Sequence, residues 1–403
     1  MAARESNSKR TTAAAPDILG PQMVLLLTVL ALTLIGFVMI YSASAPSAIT
    51  EDLGAASYLF DQLKFAAVGV VVAFVVWKFF PYHVWEGPLL WVAWGLAMAL
   101  LLATAVMGIA ANGAQRWLII GSFSLQPSEF AKIALVMVAA CWIDRLRRNQ
   151  VVFTTFLVGM ILMVAVPMGL MLVSQSDLGS TVIVAVGIIA VMWMGEVPLR
   201  AILFVIGGVV LIGLLAIFLA SYRSDRFLFL NPWGDGDNGQ GAGYQLVHSY
   251  YAISQGGLFG VGLGNSREKY EYLPESETDF IYSVICEELG LVGALVVMVL
   301  FLLLLWAGLR IARSAPDNFG CMLAGGLIIM LVAQAFLNIA CAIGAFPTTG
   351  KPLPFISSGG SSLVASYIMI ALVMSVAKGS GASSVYERRR DDLRVVRFDQ
   401  SRR

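Results

Sequence analysis

Ten apolar runs dominate this chain, near residues 22–42, 62–80, 88–109, 127–143, 152–173, 179–195, 199–220, 279–310, 319–342 and 359–378. A bilayer core about 30 Å thick takes roughly 20 such residues per helix. Only helices and closed barrels satisfy their backbone polar groups in lipid. Runs of this length therefore predict an all-α integral membrane protein of about ten transmembrane helices. Composition agrees. Of 403 residues, 59% are hydrophobic and 13% charged, against roughly 25% charged in soluble domains. The mean hydropathy is +0.82. A soluble core could not hide so much apolar surface. The run at 22–42 is too long for a signal-peptide core and has no convincing cleavage site, so it reads as a retained span.

Short loops set orientation through Lys and Arg. With the N-terminus inside, the inner loops carry Lys78, Arg145, Arg147, Arg148, Arg200, Arg310 and Arg313. The short outer loops carry only Arg116 and Lys351. An even number of spans then puts both termini in the cytoplasm. The predicted organisation is a tail at 1–20, a ten-helix membrane domain at 21–378 with an extracellular loop at about 221–278, and a second tail at 379–403. The net charge of +1 says little about partners. Cys141, Cys286, Cys321 and Cys341 lie in apolar runs without a CxxC pair, and His83 and His248 are far apart. That argues against a His/Cys metal cage and leaves room for an oxygen-ligated divalent ion such as Mg or Mn.

Polarity concentrates in four outward segments. The first is Asn112 to Trp117 followed by Gln126-Pro127-Ser128-Glu129-Phe130-Ala131-Lys132. Pro127 suits a first helical turn. Glu129 and Lys132, three apart, share a helix face and can pair, either for function or to fix helix packing. The second is Ser174-Gln175-Ser176-Asp177, where Asp177 reads mainly as a helix cap. The third is the long loop. Its glycine run, Gly256 to Asn265, resembles a nucleotide loop only superficially, because no strand precedes it and it faces outside. The loop ends at Glu271-Tyr272-Leu273-Pro274-Glu275-Ser276-Glu277-Thr278-Asp279, with capping and catalysis both open for Asp279. Just beyond lies an intramembrane acidic pair, Glu287-Glu288. At 100° per residue, at most one of these can share a groove with Asp279. The fourth segment, Pro347 to Ser362, breaks the chain with three prolines. It then opens a helix whose free N–H groups favour an anion, with Lys351 nearby.

Gln126 to Lys132, Gly256 to Asn265, Thr278-Asp279-Phe280-Ile281 with Glu287-Glu288-Leu289-Gly290, and Pro354 to Ser362 together resemble the SEDS family of bacterial cell-wall polymerases. The likeness runs from about 22 to 378. Gly257 to Arg267 with Lys269-Tyr270 is closer to the family's cell-division branch than to its elongation branch. The resemblance implies a peptidoglycan glycosyltransferase that polymerises lipid II on the outer face of the cytoplasmic membrane at the septum and releases undecaprenyl diphosphate. It implies a class B penicillin-binding protein transpeptidase and other divisome membrane proteins as partners, and no nucleic acid. It makes Asp279 catalytic. Arg116, Glu129, Lys132, Glu271, Lys351, Ser357, Ser361 and Ser362 become candidate substrate-binding residues. The chain departs from the family pattern at Glu277, where His is usual, and at Ser358, where Tyr or similar is usual. The rival readings are a lipid II flippase, an elongation-type polymerase and a non-catalytic division scaffold. The chain shows no internal repeat and no matching pair of broken helices, both common transporter signs.

Overall fold

The computed structural model describes residues 19–111, 114–120, 123–218 and 229–379. Each of the ten apolar runs forms a helix. In chain order these are α1 (Leu19–Thr50), α2 (Ser57–Phe79), α3 (Pro88–Met107), α4 (Pro127–Arg147), α5 (Phe153–Val173), α6 (Leu178–Met194) and α7 (Leu199–Phe218). A short helix of the outer loop, α8 (Tyr244–Gly256), precedes α9 (Ile281–Arg313), α10 (Asn318–Ala342) and α11 (Gly360–Gly379). Seven of these described helices are long and apolar enough to cross a membrane, and α6 and part of α7 are shorter apolar helices. α4 has the length of a span at 21 residues but carries charge at both ends. This is a multi-pass, all-α membrane protein. The tails expected at 1–20 and 379–403, apart from their innermost positions, lie outside the described residues, as do Arg223 and Arg226 of the outer loop.

Capping and helix starts follow the residue types. Pro88 and Pro127 open α3 and α4, where a missing N–H costs nothing. Asp177 and Asp317 cap α6 and α10, accepting from the amides of Ser180 and Gly320. α4, α10 and α11 form the centre, buried on nearly all sides, while α2 and α3 turn most of their side chains outward. Lipid gives helices no hydrophobic reason to associate, so close contact relies on small residues. A Cβ on Gly187 of α6 would sit 2.9 Å from Val136 of α4, and one on Gly326 of α10 would sit 2.5 Å from Val191 of α6.

Two departures from the sequence reading matter. The apolar run expected to cross at 88–109 ends at Met107, and the chain then forms a three-stranded antiparallel meander. Its strands are β1 (Ile109–Ala111), β2 (Ala114–Ile120) and β3 (Phe123–Leu125). Asn112-Gly113, a hairpin signal, divides the first two strands.

The second departure lies inside α9, which is broken at Gly290 (φ 69°, ψ −168°). Backbone freed by the break would be costly at membrane depth. The glycine run of the outer loop satisfies it. Leu291 and Val292 donate to the carbonyls of Gly257 and Leu258 at 2.9 and 3.2 Å, and Val261 and Gly262 donate to those of Glu287 and Glu288 at 2.9 and 3.0 Å. Side chains would block this approach. A Cβ on Gly260 would lie 2.1 Å from the Glu288 carbonyl oxygen. The run is therefore a backbone patch over a helix break.

Candidate active site

The starts of α4, α6, α9 and α11 and the end of α10 meet on one side of the bundle, and Asp279 lies among them. It does not cap α9. The cap position is Phe280, without a side-chain hydrogen bond, and the Thr278 hydroxyl turns to Glu275 Oε2 at 2.6 Å. The backbone of Asp279 is pinned instead. Asn338 Nδ2 on α10 donates to the carbonyls of Asp279 (2.7 Å) and Lys351 (2.8 Å), tying the loop end to the proline-rich turn. The Asp279 carboxylate is half-buried and has no hydrogen-bond partner among the described residues. Burial, then the Glu275 carboxylate, push its pKa up to about 7 against the pull of Lys351 and Arg116.

Arg116 reaches this place from β2. Its Nε and Nη2 donate to the carbonyls of Gln175 and Ser176, both at 2.9 Å. Nη1 has no hydrogen-bond partner among the described residues and faces the same gap as Asp279, beside Gly350.

Beneath them lies a buried charge cluster. Lys351 Nζ donates to Asp177 Oδ2 at 2.8 Å and lies 3.9 Å from Glu129 Oε1. Lys132 Nζ donates to Glu129 Oε2 at 2.6 Å and to Gln334 Oε1. Ser128 also donates to Asp177 Oδ2, at 3.1 Å. Glu129, Lys132, Lys351 and Asp177 are all essentially inaccessible to solvent. Burial alone would raise the Asp177 carboxyl. Lys351, the Ser180 amide and Arg116 outweigh it and hold the group at about 2. Lys132 and Lys351 balance Glu129 and Asp177, so the excess positive charge beside Asp279 is that of Arg116.

The expected residues separate into groups. Asp279, Arg116, Glu129, Lys132 and Lys351 come together. Glu271 lies on the exposed loop, accepting from the Thr50 hydroxyl at the end of α1 at 2.7 Å. The three serines tie the turn to the fold. Ser357 Oγ accepts from the Leu353 amide and donates to the Thr278 carbonyl. Ser361 Oγ accepts from the Gln126 amide and donates to the Ser124 carbonyl, both at 3.1 Å. Ser362 Oγ accepts from Gln334 Nε2 at 3.4 Å. Glu287 and Glu288 both turn away from Asp279. Ser266 Oγ and the Arg267 amide bond Glu287 at 2.6 and 2.7 Å, while Lys269 Nζ and Ser42 Oγ bond Glu288 at 2.8 and 2.7 Å.

Sequence reasoning missed the double duty of Asp177, which caps α6 with one oxygen and holds Lys351 with the other. It also missed Gln334 and Asn338, two amides in an apolar helix, whose polarity at membrane depth was the available signal. Among the described residues no group of three or more His, Cys, Asp and Glu side chains could hold a metal ion. A separate apolar cavity of about 350 Å³ lies between α1, α2 and α11, lined by Leu30, Thr33, Phe74, Trp77 and Tyr367 among others. It belongs to the opposite half of the bundle.

Residues 22–381 match the family model of cell cycle proteins that takes in FtsW, RodA and SpoVE. The chain belongs to this family. It bears out the SEDS resemblance read from the sequence. Stage V sporulation protein E of Bacillus subtilis is 36% identical over 368 residues, covering 89% of this chain and 98% of that protein. The probable peptidoglycan glycosyltransferase FtsW of Trichlorobacter lovleyi is 39% identical over 365 residues, covering 89% and 93%. Among solved structures, a chain of a peptidoglycan synthase complex that coordinates polymerization and crosslinking superposes with a TM-score of 0.68 at 26% identity, over 88% of this chain and 97% of that one. The rod shape determining protein RodA of Thermus thermophilus superposes at 0.64 with 25% identity, over 88% and 95%. This FtsW/RodA/SpoVE-family chain thus shares its membrane architecture with both.

Proposed function

We propose that this chain is a peptidoglycan glycosyltransferase that polymerises lipid II on the outer face of the cytoplasmic membrane. The observation that carries this is the Asp279 carboxylate, unbonded among the described residues, facing the Arg116 Nη1 that is likewise unbonded there, above a buried cluster of two lysines and two carboxylates. Asp279 accepts the proton of the 4-hydroxyl of one lipid-linked sugar. That oxygen forms the new bond to the anomeric carbon of the growing chain, the anomeric carbon–oxygen bond to diphosphate breaks, and undecaprenyl diphosphate leaves. A positioned base contributes about 10²–10⁴-fold. The leaving diphosphate needs cationic stabilisation. Arg116 Nη1 supplies a donor at the gap, and Lys351, pinned by Asp177, supplies field from below.

The names of the curated relatives support the septal, cell-division role over the elongation role. The reading extends to a class B penicillin-binding protein as transpeptidase partner, which the likeness to a chain of a peptidoglycan synthase complex supports, to other divisome membrane proteins around it, and to both termini in the cytoplasm, which the Lys and Arg of the inner loops support. The test is purified chain, with and without that partner, given lipid II, with glycan length read on a gel. Strands from wild type and none from Asp279→Asn are expected. Equal product from both sinks the assignment of Asp279.

The break at Gly290 is the feature a flippase would draw on. The glycine run seals it and Glu287 and Glu288 are satisfied locally, which favours polymerisation. Labelled lipid II crossing liposomes without polymer would reverse that preference.

A further inference from the structure

Gly350 stands at the gap between Asp279 and Arg116. It has φ +66°, and it is exposed while the adjoining Thr349 and Lys351 are buried. A Cβ built on it would lie 3.4 Å from Asp279 Oδ2 and 3.9 Å from Arg116 Nη1. Both are ordinary contact distances. The missing methyl therefore leaves an atom-sized space that touches the acid and the guanidinium together. Any group entering it meets an acceptor on one side and a cationic donor on the other. A sugar hydroxyl next to a phosphate oxygen has the matching polarity.

We infer that Gly350 is a positioning residue: its lack of a side chain forms the slot through which the acceptor hydroxyl reaches Asp279 and an anionic oxygen reaches Arg116. The inference rests on the glycosyltransferase reading above. The backbone on the Asp279 side of the slot and the guanidinium on the other are fixed independently. Asn338 holds the carbonyls of Asp279 and Lys351, the residues facing and following Gly350, and Arg116 is anchored by two backbone carbonyls. A substituent on Gly350 thus meets a guanidinium and a backbone that are both held in place, and it occupies the space between them.

Backbone strain and slot occlusion predict opposite orders for two substitutions. Positive φ is tolerated by Asn better than by Ala, so strain alone makes Gly350→Ala the worse variant. Occlusion makes Gly350→Asn worse, because its side chain is larger and projects further into the slot. The experiment measures lipid II polymerisation and melting temperature for both variants in the full chain with its transpeptidase partner. Lipid II binding is also measured in the Asp279→Asn background, where no turnover occurs.

We expect kcat/KM to fall about tenfold for Ala and about a hundredfold for Asn, while Asn melts at or above Ala. Lipid II binding is expected to weaken at least tenfold when Gly350→Asn is added to Asp279→Asn. Activity that follows the melting order, with Asn above Ala, overturns the inference and leaves the role of Asp279 standing. So does unchanged binding in the double variant. Full activity of Asp279→Asn itself sinks the underlying reading, and the slot with it.

Discussion

Asp177 and Asp279 are the same residue type, each in the last turnings of an outer loop before a helix, within reach of the same Lys351 and Arg116. Their surroundings push them apart. Asp177 uses both oxygens, one on the Ser180 amide and one on Lys351 and Ser128, and is held at about 2. Asp279 has its backbone fixed and its carboxylate unbonded among the described residues, and rises to about 7. The difference is the one expected between an anchor and the proposed base. Pairs of carboxylates with divergent environments mark the division of roles in an acid–base site.

The largest expected effect separates the two on activity. Asp279→Asn is expected to lower polymerisation by about 10²–10⁴-fold without lowering the melting temperature. Asp177→Ala is expected to act on the fold, because it removes the carboxylate hydrogen-bonded to buried Lys351 and leaves it Glu129 at 3.9 Å. Removing one partner of a buried pair costs about 3–5 kcal/mol. Melting curves of the two variants in one detergent check this. An Asp177→Ala protein as stable as wild type would remove the anchor role.

The two carboxylates also predict opposite responses to pH. Asp279 rises from an ordinary 3.8 to about 7. As a base it works when ionised, so the rate should fall with unit slope below about pH 7 and level off above it. For stability the sign reverses. A raised carboxyl contributes stability that is complete below 3.8 and lost as pH rises through about 7. Asp279→Asn should therefore melt above wild type at pH 8, with the gap closing toward pH 4. Asp177 is depressed from 3.8 to about 2. Its contribution is present above 3.8 and disappears only as pH falls through about 2, so it stays constant across the range in which Asp279 titrates. A wild-type rate that is flat from pH 5 to 8 would break the contrast.

How legible this was in the sequence depended on the kind of signal. The ten helices were readable because an apolar run of span length has few alternatives in lipid. The Glu129/Lys132 pair followed from helical spacing alone. The meander at 109–125 was hidden because its strands are short and apolar, and one of them directly continues the run of α3. The break at Gly290 was invisible for a related reason. Glycine inside an apolar helix is common in membrane spans, and only the distant run at 256–262 explains it. Asp177 was read through its neighbours in sequence, as a cap, and its second partner, Lys351, lies 174 residues away. Local chemistry was visible, and long-range pairing was visible only where the family resemblance carried it.

The smallest effect tests what holds Asp279 apart from Asp177. After burial, Glu275 is the leading cause of its raised pKa. Glu275 is exposed and bonded by the Thr278 hydroxyl, which a glutamine oxygen can accept equally well. Glu275→Gln therefore removes charge and keeps geometry. Two charges 4 Å apart in water exchange about 1 kcal/mol, equivalent to about 0.7 of a pH unit, which sets the order of the effect. The midpoint of the pH–rate profile should move to lower pH by an amount of that order, with the plateau rate unchanged. A midpoint that stays in place would leave burial alone to account for Asp279, and one that moves upward would contradict the sign of the Glu275 interaction.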